Sequence, residues 1–389
     1  MDKWSQYSFS KFVQINPVVK LMTGNEYSYV EMKDLQDGLK YCMPSGKRVF
    51  KGGSKFTNND TLFARITPCL ENGKICKVRD LMNNVGFGST EFLVFRGKED
   101  ISDNDFIYYL SRWEVVRNFA ISNFEGTSGR QRVAKGVFDN LLLKLPPLTE
   151  QAAIAEVLSS LDDKIDLLHR QNQTLEQLAE TLFRQWFIEE AEEGWERKIL
   201  DDVVTVKGGS TPSTKLSEFW DGDICWATPK DLSNHSGVFL LNTERRITSR
   251  GLERISSGLL PQGIVLLSSR APIGYLAITD TPLAINQGFI AILCNKGIQN
   301  YFVYLWCKLN VEEIKNAGNG SVFQEISKSI FRNLKIQVPP SSLLEKFNEI
   351  ISPLFDKIKN NQLQIRTLTQ LRDTLLPRLM SGEVRVKYR

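Results

Sequence analysis

The chain has 389 residues, more than a usual single domain, so two or more cores are expected. Its charged fraction of 24% and net charge of +4 are those of an ordinary globular protein and exclude a disordered or fibrous chain. The lack of an apolar run of about 18 residues predicts no membrane span, and scattered cysteines with only two histidines predict no metal site and free thiols in a reducing cytoplasm.

Residues 1–144 mix short strand-like runs with turns. Residues 27–32 alternate as a strand does, residues 51–60 read as a loop, and residues 61–66 and 92–95 read as buried strands. An amphipathic helical pattern covers 106–119, followed by the polar loop EGTSGRQR. The chain then enters LPPLTEQAAIAEVLSSLDDKIDLLHRQNQTLEQLAETLFRQWF (145–187). That stretch returns 193 residues later, at 338–380, with 15 of 43 positions identical and no gap. A match at one fixed offset is an internal repeat. The same offset relates Ser128 to Ser321, Gln131 to Gln324 and Lys135 to Lys328, so the ends of the globular segments belong to the repeat.

Each repeat reads as a long helix opened by Pro-Pro, with Thr149 and Ser342 as candidate N-caps. Apolar residues then recur at heptad intervals. One helix carries Ile154, Leu158, Leu161, Ile165, Leu168, Asn172, Leu175 and Leu182; the other carries Ile351, Leu354, Ile358, Asn361, Ile365, Leu368, Leu375 and Leu379, with Arg372 at a seam position. Antiparallel pairing about the helix centres would bring Asn172 to Asn361. Gly194 and Gly382 are the expected helix stops, and Pro377 should end or kink the second helix.

The segment 194–337 repeats the α+β order of the first, with strands expected at 203–206, 224–227 and 263–267, an apolar run at 284–293, and a helix at 302–309. The boundaries are 1–148, 149–193, 194–340 and 341–389. Charge divides along them. The stretch 145–194 has three basic against eleven acidic residues, whereas 338–389 has nine against five. An acidic helix repels DNA and suits a protein contact. The fold class is therefore α+β: two α/β domains separated by two long antiparallel coiled-coil helices, with an internal pseudo-two-fold repeat.

Several stretches together resemble the specificity subunit of type I restriction-modification enzymes over almost the whole chain. They are LPPLTEQ (145–151), LLPRLMSGEV (375–384), NNDTLFARITPCLENGK (58–74), GFGSTEF (86–92), GWERKILDDVVTVKGGSTPS (194–213), ICWATPKDLS (224–233) and LLSSRAPIGYLAIT (266–279). The second repeat departs from the pattern at Leu343-Leu344, where the first has Glu-Gln. The resemblance implies a prokaryotic DNA-binding subunit without catalysis of its own. Each target-recognition domain reads one half of a bipartite double-stranded target, and the helices set the spacer. The implied partners are two methyltransferase and two restriction subunits, which hold S-adenosylmethionine, ATP and Mg; this chain carries no cofactor.

Catalytic alternatives lack their motifs. The Pro-Pro pairs, LPPL and VPPS, have neither the polar residue before nor the aromatic after that an adenine methyltransferase needs to grip the target amine. KGGSTPS has glycines but no Gly-Lys to cradle phosphates. The acidic residues show no clustering for a Mg-dependent nuclease, and two isolated histidines make no triad. The rival from another class is a non-enzymatic coiled-coil scaffold whose end domains bind protein.

Reading bases takes paired donors and acceptors, and anchoring phosphates takes Lys, Arg and small polar groups. In the first domain the candidates lie in 47–55 (Lys51, Lys55) and 126–135 (Ser128, Arg130, Gln131, Arg132, Lys135), with Arg65 beside them. In the second they are Lys230, Ser233, Asn234, His235, Arg245, Arg246, Ser269, Arg270, Ser321, Gln324 and Lys328.

Overall fold

Pro-Pro fixes where each long helix begins. The carbonyl of Pro147 accepts from the N–H groups of Glu150 and Gln151, both at 3.0 Å, and that of Pro340 accepts from Leu343 and Leu344 at 2.9 and 3.1 Å. Thr149 and Ser342 therefore lie inside the first turn and are not caps. The structure is a computed structural model that describes residues 4–127, 129–233, 237–270, 272–318 and 324–387. It divides into two compact units, 1–167 with 365–389 and 168–364. The division cuts through both long helices, so the expected borders at 148, 193 and 340 do not bound the packed units.

The first unit contains β1 (Ser5–Ser8), α1 (Phe9–Phe12), β2 (Val13–Ile15), β3 (Glu26–Val30), β4 (Tyr41–Cys42), β5 (Gly46–Val49), β6 (Ser54–Thr57), β7 (Thr61–Ala64), β8 (Ile75–Val78), β9 (Val85–Gly88) and β10 (Phe92–Gly97). Next come α2 (Asn104–Arg112), α3 (Glu114–Ser122), β11 (Phe124–Glu125), β12 (Arg132–Val133), β13 (Leu142–Leu145) and the start of α4 (Leu148–Arg184). The helix expected at 106–119 is two helices broken at Trp113, and the loop expected at 51–60 contains β6.

The second unit contains β14 (Glu196–Ile199), α5 (Leu200–Val203), β15 (Thr205–Gly208), β16 (Trp220–Ala227), α6 (Pro229–Ser233), β17 (Phe239–Leu240), β18 (Arg245–Ile247), α7 (Ser249–Leu252) and β19 (Val265–Ser268). It continues with β20 (Leu276–Thr279), β21 (Leu283–Ile285), β22 (Phe289–Leu293), α8 (Asn300–Leu309), α9 (Val311–Asn316), α10 (Lys328–Arg332), β23 (Lys335–Val338) and the first part of α11 (Ser341–Met380).

The strand orders repeat. The first unit has a five-stranded sheet β2-β10-β7-β8-β4, and the second has β15-β22-β19-β20-β17. In each, the outermost pair is parallel and the others antiparallel. A smaller sheet lies beside it, β5-β3-β9-β6 in the first unit and β18-β16-β21 in the second, each with a parallel pair next to an antiparallel one. Chain ends pair likewise: β1 with β13, β14 with β23. Two α+β domains of one topology follow.

Within each unit a domain packs on segments of both helices. In the first, Phe9, Phe95, Phe106 and Phe138 share a core with Ile154 and Leu158 of α4 and Leu376 and Leu379 of α11. In the second, Phe302, Ile336 and Trp195 share one with Phe183, Phe187, Phe347 and Ile351. None of the predicted seam residues is exposed.

The helix pair is antiparallel in both units. In the second, Asn361 Nδ2 donates to Asn172 Oδ1 at 2.9 Å, while Asn361 Oδ1 is buried without a partner. A buried orphan acceptor costs about 1–3 kcal/mol. Replacing both asparagines by leucine should therefore raise the midpoint of chemical denaturation while loosening the register that the amides define. A lower midpoint would overturn that account.

In the first unit Arg372 Nη1 donates to Asp162 Oδ1 at 2.7 Å and to the Gly38 carbonyl at 2.8 Å, and Tyr109 Oη donates to Asp162 Oδ2 at 2.8 Å. Nearby, Lys40 is buried against Ser159 Oγ at 2.8 Å and Asp163 at 3.5 Å. Burial pushes the Lys40 ammonium down, but Tyr41 and the Asp105 and Asp163 carboxylates outweigh it and hold it above the usual lysine range.

One domain-to-helix ion pair occurs in both units with its signs exchanged. Arg79, just past β8, meets Asp166 of α4 at 3.2 Å. Asp280, just past β20, meets Lys359 of α11, the residue at the same repeat position.

The helix ends differ. Gly382 takes φ +76° one residue past the cap of α11 and closes it as expected. Pro377 does not stop that helix, which runs one turn further because Leu376, Leu379 and Met380 are all buried. Gly194 does not end the first helix, which closes in a π-turn over Gln185–Glu189.

Candidate nucleic-acid interface

The candidates of the first domain fall at two places. Lys51 is exposed beside the small sheet, and Lys55, within β6 of that sheet, lies 5.0 Å from the Phe50 ring centroid. One face of that sheet carries Tyr27, Tyr29 and Phe87, with Phe50 packed against them. Arg48 lies 4.0 Å over Tyr29 and pairs with Glu31. Cations held over aromatic rings on a half-exposed sheet give a surface suited to anionic phosphate and flat bases.

The second place is the junction of β7 with the 126–135 segment. Arg132 is held by Glu91 through three bonds of 2.7 to 2.9 Å, so its fork faces a carboxylate. Gln131 is tied through its backbone to Thr67. Arg65 is half-buried, and its Nε is buried without a hydrogen-bond partner. Arg130 and Lys135 are exposed, while Ser128 lies outside the described residues.

In the second domain Arg245 lies 3.5 Å over Trp220 and 5.6 Å from Trp226. Arg246 donates to the Asp223 carbonyl and to Asn242 Oδ1, both at 3.0 Å. Lys230 pairs with Glu244 at 2.9 Å, and Ser233 bonds back to the Lys230 carbonyl. Ser269 is buried between Gly288 and Ile326, which corrects its place among the DNA-facing residues. Arg270 pairs with Glu325 at 3.8 Å. Gln324 and Lys328 are exposed; Asn234, His235 and Ser321 lie outside the described residues. The glycines of KGGSTPS serve packing: a Cβ at Gly209 would sit 1.8 Å from the Ile285 carbonyl oxygen.

The three shared strands of the small sheets pair in the same sense. Tyr29 pairs with Phe87 as Trp226 pairs with Ala284, and the next residues, Val30 and Ala227, are both fully buried. One residue on, Asp34 accepts from the Glu31 N–H and Asp231 from the Thr228 N–H, each at 2.7 Å. Tyr29 and Trp226 thus occupy one position in the shared fold, each close to a guanidinium from the adjacent strand. Sequence reasoning placed Arg48 within 47–55 without singling it out, and it missed the rings beneath Arg48 and Arg245. The alternation in EYSYV, which puts Tyr27 and Tyr29 on one face, was the available signal.

Residues 18–177 and 192–370 match the sequence profile of the type I restriction modification DNA specificity domain. The chain belongs to this family. It is 24% identical to the type I restriction enzyme HindI specificity subunit of Haemophilus influenzae over 99% of this chain and 100% of that protein. It is 37% identical to the MjaIX specificity subunit of Methanocaldococcus jannaschii over 194 residues, 49% of this chain and 45% of that relative, so the match spans about half of each. In fold it resembles the crystal structure of a type I restriction-modification S subunit from M. genitalium, with a TM-score of 0.55 at 16% identity and coverage of 97% and 96%. Among the described residues no His/Cys/Asp/Glu group could hold a metal, and no helix is long and apolar enough to cross a membrane.

Proposed function

We propose that the chain is the DNA specificity subunit of a type I restriction-modification complex, each domain reading one half of a bipartite target. One observation carries the reading: the two domains repeat the same small sheet with an aromatic position covered by a guanidinium. A duplicated reader suits a target with two half-sites. The partners are methyltransferase subunits docked on the helices and, in the full enzyme, restriction subunits. S-adenosylmethionine, ATP and Mg belong to those partners.

Co-expression with the cognate methyltransferase subunit in a methylation-free host, followed by methylome sequencing, tests this. The expected result is one motif of two short blocks separated by a fixed number of unspecified bases. Methylation that is unchanged when this chain is omitted would sink the proposal.

A further inference from the structure

One guanidinium of the second domain is both held in place and free to bond. Arg245 sits over two indoles that meet edge to face, their centroids 5.0 Å apart. Each indole is fixed, Trp220 Nε1 donating to the Ser213 carbonyl at 3.0 Å and Trp226 Nε1 to the Ser210 carbonyl at 3.3 Å. Both rings are buried, whereas Arg245 is exposed. Among the described residues its side chain has no hydrogen-bond or ion-pair partner. Arg246 is bonded to Asp223 and Asn242, Arg250 to Glu218 and Arg270 to Glu325, while Arg254 lies 5.8 Å from the Phe219 ring, well beyond the 3.5 Å of Arg245 over Trp220.

Stacking holds the guanidinium plane while leaving its N–H donors at the rim, so little side-chain freedom remains to be lost on binding. Two parallel donors match the adjacent O6 and N7 acceptors of guanine in the major groove; adenine offers a donor and an acceptor at that edge. We propose that Arg245 is a base reader that donates its fork to a guanine of the half-site contacted by the second domain. The inference rests on the DNA-reading function above and adds the residue and the base. In the first domain the guanidinium over Tyr29 belongs to Arg48, which stands two residues out of register with Arg245, and Glu31 closes its fork.

The test uses the full chain in complex with its methyltransferase subunit and a duplex bearing the motif found by methylome sequencing. Each guanine of the second half-site is replaced in turn by 7-deazaguanine, which lacks N7. One such replacement should weaken binding of the unsubstituted complex by about 10- to 100-fold, the range of a bidentate base contact. Arg245→Ala and Arg245→Lys should lose that discrimination at the same position and keep the first half-site. Arg245→Lys retains charge over the rings and lacks the fork, so its loss cannot come from misfolding of the indole pair. A second half-site without guanine, or an Arg245→Lys complex that still discriminates, overturns the proposal. Absence of any sequence-specific binding by the unsubstituted complex would instead overturn the DNA-reading function itself.

Discussion

Replacing Arg372 by alanine should destabilise the chain by about 3–5 kcal/mol, because it leaves the Asp162 carboxylate buried with Tyr109 as its remaining partner. Both side chains of the ion pair are almost fully buried, 2% and 1% exposed, so water cannot replace the lost contact. The second unit supplies its own comparison. At the repeat-related positions it has Phe355 and Ala179, both fully buried, where the first unit has Asp162 and Arg372. An apolar pair evidently fills the same place. The double variant Asp162→Leu/Arg372→Met should accordingly lie closer to the parent chain than Arg372→Ala alone. Equilibrium urea denaturation reads both; a double variant less stable than the single one would refute the ion-pair account.

The second large effect is expected at Phe187. Its ring lies 4.7 Å from Phe347, 4.9 Å from Phe302 and 5.0 Å from Phe183, where the π-turn brings α4 to the second domain. Phe187→Ala should cost about 3–5 kcal/mol, the transfer energy of the ring plus the cavity left behind. Thermal unfolding followed by tryptophan fluorescence should report the loss early, since Trp186 and Trp195 border the same ring. A variant with unchanged stability would mean that the site collapses to fill the void.

The long helices were legible in the sequence because Pro-Pro and a seven-residue apolar period are local signals. So was the meeting of Asn172 with Asn361, which follows from the antiparallel arrangement once the seams are aligned. The exact start was not legible, since Thr149 and Ser342 carry cap chemistry but the second proline's carbonyl begins the helix. Nor was the end of the first helix: Gly194 looked like a stop, whereas the aromatic packing of Phe183 and Phe187 shapes the last turn. Arg372 could be placed on the seam by spacing, but its partner Asp162 lies 210 residues away and no period links the two. The interface residues fared less evenly. Clusters of cations at 47–55 and 245–246 fall on or beside the small sheets, over aromatic rings. Whether a given arginine faces solvent or a carboxylate is a tertiary matter, as Arg132 on Glu91 and Arg270 on Glu325 show.

The exchanged pair Arg79–Asp166 and Asp280–Lys359 bears on the history of the duplication. An ion pair retains its attraction when both signs are inverted together, so compensated drift leaves each copy intact while ending their equivalence. Seating the first domain on the helix residues that serve the second would set Arg79 against Lys359, cation against cation. After the copies diverged, each domain became the matched tenant of its own helix position, and a graft that moves a domain between the two must carry its helix partner with it.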